Sequence, residues 1–232
     1  MLTVYGDFNC PYSYLASLRV DSFLAAGIDV EWRAVEHQKD LPVVGRRLDD
    51  GGRRAVAEEL ESVRQLLSPD EEFGATTPSM LPNTAAANAG HAEAVGIGVG
   101  HEVRRLLFDA YWSRGTDIGS VEVLRTLLAA PIRCGRTTAF PLREAGFAVS
   151  TNRGPITTVA HRTLAAWRSA WEELGTWTTP TVIVDDVPYV GVDGLRWLAA
   201  HQPRPVVDRL ASPAAARAST AVGSARSRQR AR

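Results

Sequence analysis

The sequence predicts an α/β fold in which a mostly helical segment interrupts a small sheet. Three observations support this prediction: a β-α-β pattern over residues 2–35, four helical patterns between residues 55 and 130, and a strand hairpin near residues 181–190. A β-α-β unit favours a parallel strand pair with a right-handed crossover. At 232 residues, the chain is long enough for one large domain or for one domain that carries an insertion.

The β-α-β unit begins with an apolar run at residues 2–5, which predicts a strand. A short loop follows, and a helix is predicted from Pro11 to about Ala26, because apolar residues recur at helical spacing and Gly27 then ends the pattern. Residues 28–35 alternate between apolar and polar side chains, which is typical of a half-buried strand.

The middle of the chain is predicted to be helical. Residues 38–54 are polar and contain glycine, so they are interpreted as a loop. Helical patterns follow at residues 55–67, 84–96, 101–113 and 120–130, with no strand pattern between them. Residues 131–155 show no clear periodicity, and residues 156–174 are again helical. The prediction is therefore a helical insertion over residues 40–155 within a discontinuous domain formed by residues 1–39 and 156–205.

The last part of the chain predicts a hairpin and one more helix. Residues 181–184 form a strand pattern, residues 185–186 a turn, and residues 187–190 a returning strand. Asp193 is a candidate N-cap of a helix that ends at Ala200. From Ser212 onward the sequence is mostly Ala, Arg and Ser, which cannot repay the entropy of folding. Residues 212–232 are therefore predicted to be a disordered basic tail.

Composition narrows the classes of function. The 26 basic and 26 acidic side chains cancel, so no overall field favours nucleic acid or a membrane surface. No apolar run approaches the roughly 20 residues that a membrane span needs, and no signal peptide is recognised before the first strand. Two cysteines do not form a disulfide framework, and no His/Cys cluster has metal-ligand spacing. We therefore expect a cytoplasmic protein without a metal site.

The motif Cys10-Pro11-Tyr12-Ser13 follows the first strand and its loop directly. Pro11 suits the first turn of a helix, where a missing N–H costs nothing. This places the Cys10 sulfur at a helix N-terminus, where free N–H groups and the helix dipole favour an anion. We expect a lowered thiol pKa and a nucleophilic Cys10 at neutral pH. The competing interpretations are a buried, inert cysteine and a site that is retained but no longer used.

Thr179-Pro180 precedes the strand of residues 181–184. By itself it is interpreted as an ordinary strand-entry proline. The order of elements around it, with the Cys-Pro-x-Ser helix, is the thioredoxin-like order with a helical domain inserted. The matching segments are DFNCPYSYLA at residues 7–16, EWR at 31–33, PNT at 82–84, LFDAYW at 107–112, DI at 117–118, TPT at 179–181 and GVDGL at 191–195.

With these segments the chain resembles the DsbA-like branch of the thioredoxin superfamily, near the FrnE-type oxidoreductases, the 2-hydroxychromene-2-carboxylate isomerases and the kappa-class glutathione transferases. The resemblance implies that Pro180 is cis and faces Cys10, so that the Thr179 backbone is presented to a peptide or a thiol cofactor. It implies that Pro11 and Tyr12 form the other wall of that cleft. Asp193 matches the position that holds the cofactor's amino group, and the plain N-cap remains its alternative.

This sequence departs from its relatives at the motif itself. Disulfide-forming members carry a second cysteine where Ser13 stands here, whereas isomerases and transferases often carry serine where Cys10 stands. A single thiolate forms a mixed disulfide but needs an external thiol to resolve it. Ser13 is predicted to stabilise the Cys10 thiolate by a hydrogen bond. Cys134 is interpreted as a bystander in a loop, with a disulfide to Cys10 left open. His37 is interpreted as a surface histidine near the active end of the sheet.

Three functions follow as hypotheses. The first is a thiol–disulfide oxidoreductase with Cys10 as nucleophile and a small thiol or a protein thiol or disulfide as substrate. The second is an isomerase or transferase that uses glutathione or another low-molecular-weight thiol, which is an exchangeable rather than a tightly bound cofactor. The third is a non-catalytic module that binds a peptide in the cis-proline groove. Family members are often homodimers, and the sequence identifies no interface.

Overall fold

The computed structural model describes residues 1–203, so the predicted tail at 212–232 lies outside the described residues. The strands are β1 (Leu2–Gly6), β2 (Val30–Ala34), β3 (Arg46–Arg47), β4 (Met80–Leu81), β5 (Thr181–Val184) and β6 (Val187–Val190). The helices are α1 (Pro11–Ala25), α2 (Asp50–Arg64), α3 (Ala85–Gly96), α4 (Gly100–Phe108), α5 (Val121–Cys134), α6 (Thr158–Glu173) and α7 (Val192–Ala200). None of these helices is long and apolar enough to cross a membrane.

The main sheet has four strands in the order β2-β1-β5-β6. β1 and β2 are parallel, with Leu2 opposite Val30, and α1 forms the crossover between them. β5 pairs antiparallel with β1, placing Val4 opposite Val182, and β6 returns antiparallel along β5. The β1 strand is therefore central, and the loop that carries Cys10 leaves its carboxyl end.

The two faces of the sheet carry different helices. Because successive side chains of a strand point to opposite faces, Val4 and Val182 enter the main core, which also contains Leu195 of α7. Tyr5 points the other way and packs with Trp171 of α6 in a smaller cluster. Residues from α1, from α7 and from the helices between β2 and α6 all contribute to the main core, so the inserted segment shares a core with the sheet.

The predicted fold class is confirmed: the chain has a mixed α/β thioredoxin-like fold with many helices between β2 and α6. The β-α-β unit, the hairpin and the helices before and after it lie within two residues of their predicted positions. The glycine-rich stretch at residues 96–100 is a helix stop, as α3 ends at Gly96 and α4 begins at Gly100.

Two predictions in the inserted segment are wrong. Residues 38–54 are not all loop: α2 begins at Asp50, where the Asp49 side chain caps the helix by accepting from the Gly52 N–H at 2.7 Å. The segment is not free of strands, because β3 and β4 form a small antiparallel sheet. The helical prediction for residues 101–113 is confirmed: α4 runs to Phe108, and a π-helical turn over Asp109–Ser113 continues it.

The positions predicted for two residues near helix ends, Cys134 and Asp193, are also wrong. Cys134 is not in a loop but is the exposed last residue of α5, because that helix continues through Pro131. Asp193 is not an N-cap: α7 begins at Val192 after Gly191, whose φ of 58° is a left-handed conformation that glycine adopts without strain. Asp193 therefore lies inside the first turn of α7, where its negative charge interacts favourably with the positive end of the helix dipole.

Candidate functional site

Cys10 is the N-cap residue of α1, as the motif predicted. Its backbone is extended (φ −100°, ψ 120°), and Pro11 occupies the first helical turn. The Cys10 N–H donates to the Asp7 carbonyl at 3.1 Å, and the Cys10 carbonyl accepts from the Tyr14 N–H at 3.1 Å. The loop after β1 and the first turn of α1 thus fix the position of the sulfur.

The Cys10 sulfur lies against Thr179, which is 169 residues away in the chain. Its Sγ–H donates to the Thr179 carbonyl at 3.4 Å, and the Thr179-Pro180 peptide bond is cis. The Pro180 carbonyl in turn accepts from the Gly191 N–H at 2.8 Å, which connects this segment to the start of α7. The structure therefore brings Cys10, Thr179 and Pro180 together, as the resemblance implied. Cys10 is only 4% exposed.

Burial raises the pKa of the Cys10 thiol above its ordinary value, because loss of water disfavours the thiolate. The Thr179 side chain and Ser13 lower the pKa of the same thiol by hydrogen bonding, and the nearby Asp7 carboxylate raises it. The expectation of a lowered pKa is therefore wrong, since the sulfur is buried more deeply than a helix N-terminus by itself requires. Ser13 does lower the pKa of Cys10, as predicted, but its effect is smaller than that of burial.

Alkylation of Cys10 is expected to reach half its maximal rate above pH 9.0, the ordinary value for the thiol, because only the thiolate reacts. Iodoacetamide labelling read by mass spectrometry measures both cysteines in one sample, with the exposed Cys134 as internal reference. A Cys10 midpoint below 9.0 would contradict this expectation. Because the pKa of Cys10 is raised in the folded state, the folded protein keeps the thiol proton at a pH where the unfolded chain has lost it. The contribution of Cys10 to the free energy of unfolding is therefore fully present below pH 9.0 and is lost as the pH rises through the folded-state pKa.

Behind the cysteine lies a buried network that includes Ser13, Asp7 and His37. The Ser13 hydroxyl accepts from the Asp7 N–H at 3.2 Å. The fully buried Asp7 carboxylate accepts from the His37 N–H at 2.9 Å and lies 2.7 Å from the His37 ring Nδ1. His37 is thus not a simple surface residue: its side chain is 21% exposed and is held beside the site by a buried carboxylate.

A cavity of about 220 Å³ lies beside the first turn of α1, and both chain neighbours of Cys10 line it. Polar side chains in its lining include Asn9, His37, Gln38, Arg46 and Glu59. Burial raises the pKa of Glu59, while the charge of His37 lowers it. The cavity combines donors, acceptors and both signs of charge next to a thiol, which suits a small polar molecule.

Sequence reasoning missed most of the residues that build this cavity. Asn9 donates from its Nδ2 to the Pro82 carbonyl at 3.1 Å, and its buried Oδ1 has no partner among residues 1–203. Trp112 donates from its Nε1 to the Phe8 carbonyl at 3.0 Å and also lines the cavity. In the sequence, Asn9 and Trp112 stand out only as parts of segments that carry the family resemblance. No local pattern indicates that they meet.

The remaining predicted site residues are Pro11, Tyr12 and Asp193. Pro11 is buried next to Cys10, and Tyr12 is half-buried on α1. Burial raises the pKa of Tyr12, and nearby Glu59 and Cys10 raise it further. Asp193 has a side chain that is 74% exposed and pairs with Arg196 at 3.3 Å. No contact joins Asp193 to Cys10, so its role in holding a thiol cofactor stays a prediction.

The family assignment rests on the sequence and agrees with this geometry. The profile described as "DSBA-like thioredoxin domain" matches residues 1–131, which is more than half of the chain. The chain belongs to the DSBA-like thioredoxin family. The match includes β1, the Cys10 motif and the helices of the inserted segment up to α5. A comparison with curated proteins finds no match.

Solved structures with the same fold include members of different activity classes. A 2-hydroxychromene-2-carboxylate isomerase is 19% identical with a TM-score of 0.60, covering 86% of this chain and 92% of that chain. The cytosolic disulfide reductase DsbM from Pseudomonas aeruginosa, in a structure with GSH, is 20% identical with a TM-score of 0.56, covering 86% and 96%. A probable DsbA oxidoreductase from Streptomyces coelicolor is 13% identical with a TM-score of 0.62, covering 86% of each chain.

Proposed function

We propose that this protein is a thiol–disulfide oxidoreductase that works through Cys10 alone, with a low-molecular-weight thiol as the second sulfur. The observation that carries the proposal is the position of the Cys10 Sγ, 3.4 Å from the Thr179 carbonyl at a cis proline. A chain bound along that segment would place its own sulfur near Cys10. Ser13 supplies no thiol, and Cys134 is free at the end of α5, so resolution needs an external sulfur.

The reaction has two exchange steps. The Cys10 thiolate attacks one sulfur of a disulfide R–S–S–R′, forms Cys10–S–S–R and releases R′–S⁻, which takes up a proton. An external thiolate G–S⁻ then attacks the R sulfur, giving R–S–S–G and returning the Cys10 thiolate, which is reprotonated. In sum, one disulfide and one thiol become another disulfide and another thiol, and no further oxidant is required.

The raised pKa of Cys10 has a consequence for the intermediate. Thiols of high pKa are poor leaving groups in exchange, so the mixed disulfide at Cys10 is expected to persist. After incubation with oxidised glutathione, mass spectrometry of digested protein should find a glutathione adduct at Cys10 that reduced glutathione removes more slowly than the adduct at exposed Cys134. Modification of Cys134 with none at Cys10 would contradict the proposal, and the Cys134→Ser variant provides a protein with the single reacting thiol.

A second candidate function is favoured by the cavity of about 220 Å³ beside Cys10. In a thiol-dependent isomerase or transferase, glutathione or a similar thiol would attack an unsaturated substrate held in this cavity. Cys10 or Ser13 would then polarise the cofactor sulfur by a hydrogen bond. A Cys10 thiol that keeps its proton at neutral pH can donate that hydrogen bond.

A further inference from the structure

His37 lies at the same end of the sheet as Cys10. β1 and β2 are parallel; Cys10 follows the carboxyl end of β1, and His37 follows the carboxyl end of β2. The cavity of about 220 Å³ is lined by His37 and by both chain neighbours of Cys10. The loop after β2 therefore brings a histidine ring to the cavity beside the thiol.

The partners of the His37 ring fix which of its nitrogens carries the proton. Its Nδ1 lies 2.7 Å from the Asp7 Oδ2, and a carboxylate oxygen only accepts hydrogen bonds. Its Nε2 lies 3.2 Å from the amide nitrogen of Gln38, which only donates. A neutral ring with the proton on Nδ1 and a lone pair on Nε2 satisfies both contacts. This is the arrangement of a base that a carboxylate orients.

The inner edge of the ring is held in place, and its outer edge is accessible. Asp7 is fully buried, and its Oδ2 also accepts from the His37 backbone N–H at 2.9 Å. Gln38, at the Nε2 edge, is exposed and also lines the cavity. An exposed amide gives up one hydrogen bond at little cost, because water replaces it. Nε2 is therefore the ring nitrogen that a thiol in the cavity would meet.

Two carboxylates stabilise a proton gained by the ring. Asp7 faces the ring from the loop after β1, and Glu59 faces it from α2, where the charge of His37 lowers the pKa of Glu59. Arg46 of β3 also lines the cavity and opposes them. The charged neighbours of His37 on its own loop are already paired; the pairs are Glu36 with Arg168 and Lys39 with Glu172.

We propose that His37 is the general base of the resolving step, an assignment that rests on the function proposed above. Only a thiolate attacks a disulfide, whereas an ordinary thiol is mostly protonated at neutral pH. The proton of the external thiol G–SH passes to His37 Nε2 while its sulfur attacks the R sulfur of Cys10–S–S–R. The bond between R and Cys10 breaks, and its electron pair stays on the Cys10 Sγ. The imidazolium releases its proton to solvent, and the Cys10 thiolate takes one up.

The test isolates the resolving step on the full-length protein. The Cys134→Ser variant is treated with oxidised glutathione, so that Cys10 carries the adduct, and removal of the adduct is followed by rapid-quench mass spectrometry. Reduced glutathione is compared with an aromatic thiol that is already ionised at neutral pH. His37→Asn is the informative variant, because the asparagine amide can replace Nδ1 as the donor to Asp7 while nothing replaces Nε2.

We expect His37→Asn to slow removal by reduced glutathione at least about tenfold. Removal by the ionised thiol should slow by less than about threefold, because that thiol needs no base. The control His161→Gln changes an exposed histidine of α6 and should leave both rates unchanged. Equal losses with both thiols would mean that His37 only positions the site, and unchanged rates would mean that it has no role. Either result would overturn the proposal.

A measurement with His37 in place decides the question if His37→Asn fails to fold. The ratio of the rate with glutathione to the rate with the ionised thiol should exceed, at least about tenfold, the same ratio for a glutathionylated peptide in solution. Equal ratios would refute the assignment of His37 and leave the oxidoreductase proposal intact. If no adduct forms at Cys10, the oxidoreductase proposal fails, and the assignment of His37 fails with it.

Discussion

Replacement of Cys10 with serine is expected to reduce disulfide exchange to the uncatalysed background, a loss of at least about 100-fold. A serine hydroxyl is a far weaker nucleophile than a thiol and forms no mixed disulfide. Serine also keeps the small side chain at the start of α1, so the fold should remain unchanged. The measurement is the rate at which the protein reduces a glutathionylated peptide with reduced glutathione in excess.

The control variant is Cys134→Ser, which removes the exposed thiol of α5 and should retain full activity. Unchanged exchange in Cys10→Ser would refute the oxidoreductase proposal. Thiol-dependent turnover of an unsaturated substrate that survives in Cys10→Ser would instead support the isomerase or transferase. Absence of both activities in the native protein would leave the non-catalytic peptide-binding module as the better hypothesis.

Replacement of Arg19 with methionine is expected to lower the free energy of unfolding by about 3–5 kcal/mol. Arg19 of α1 is 1% exposed and donates to the carbonyls of Leu195 and Leu66 at 2.7 and 2.6 Å. It also makes two hydrogen bonds of 2.7 Å to the Glu71 carboxylate. Methionine fills much of the same volume but removes the Arg19 donors from both carbonyls and from the Glu71 carboxylate, which keeps the Ser68 N–H. Urea unfolding measures the cost.

The matched control is Arg105→Met on α4. The Arg105 side chain is 52% exposed and pairs with Asp21 at 3.3 Å, which is the geometry of a weak surface ion pair. Its loss should change stability by less than about 1 kcal/mol. Similar effects of the two substitutions would mean that the Arg19 network contributes little to stability beyond ordinary surface contacts.

The elements that could be predicted are those whose periodicity extends over enough residues. The alternation at residues 28–35 is long enough to indicate β2. β3 and β4 have two residues each, too few for any pattern. The start of α2 at Asp50 is not predicted because Gly51 and Gly52 are poor helix formers. Asp49 caps the helix and offsets these glycines. Aspartate is also common in loops, so its presence does not by itself indicate a helix start.

The sequence by itself determined the position of the cysteine. A strand, a short loop and Pro11 are neighbours in the chain, so local geometry suffices to place Cys10 at the N-terminus of α1. The resemblance to a known family also predicted the cis peptide bond at Pro180, and the structure has that bond. Both statements depend on short-range sequence or on motif order, and neither depends on how the helices pack.

Only the tertiary structure decided the chemical state of that cysteine. The contact with Thr179 joins residues 169 positions apart, and the cavity beside Cys10 brings Arg46 and Glu59 to it from the inserted segment. Burial by these distant segments outweighs the local helix N-terminus, so the pKa of Cys10 is raised where the motif predicted that it is lowered. Desolvation depends on every segment that covers a group, which no local pattern contains.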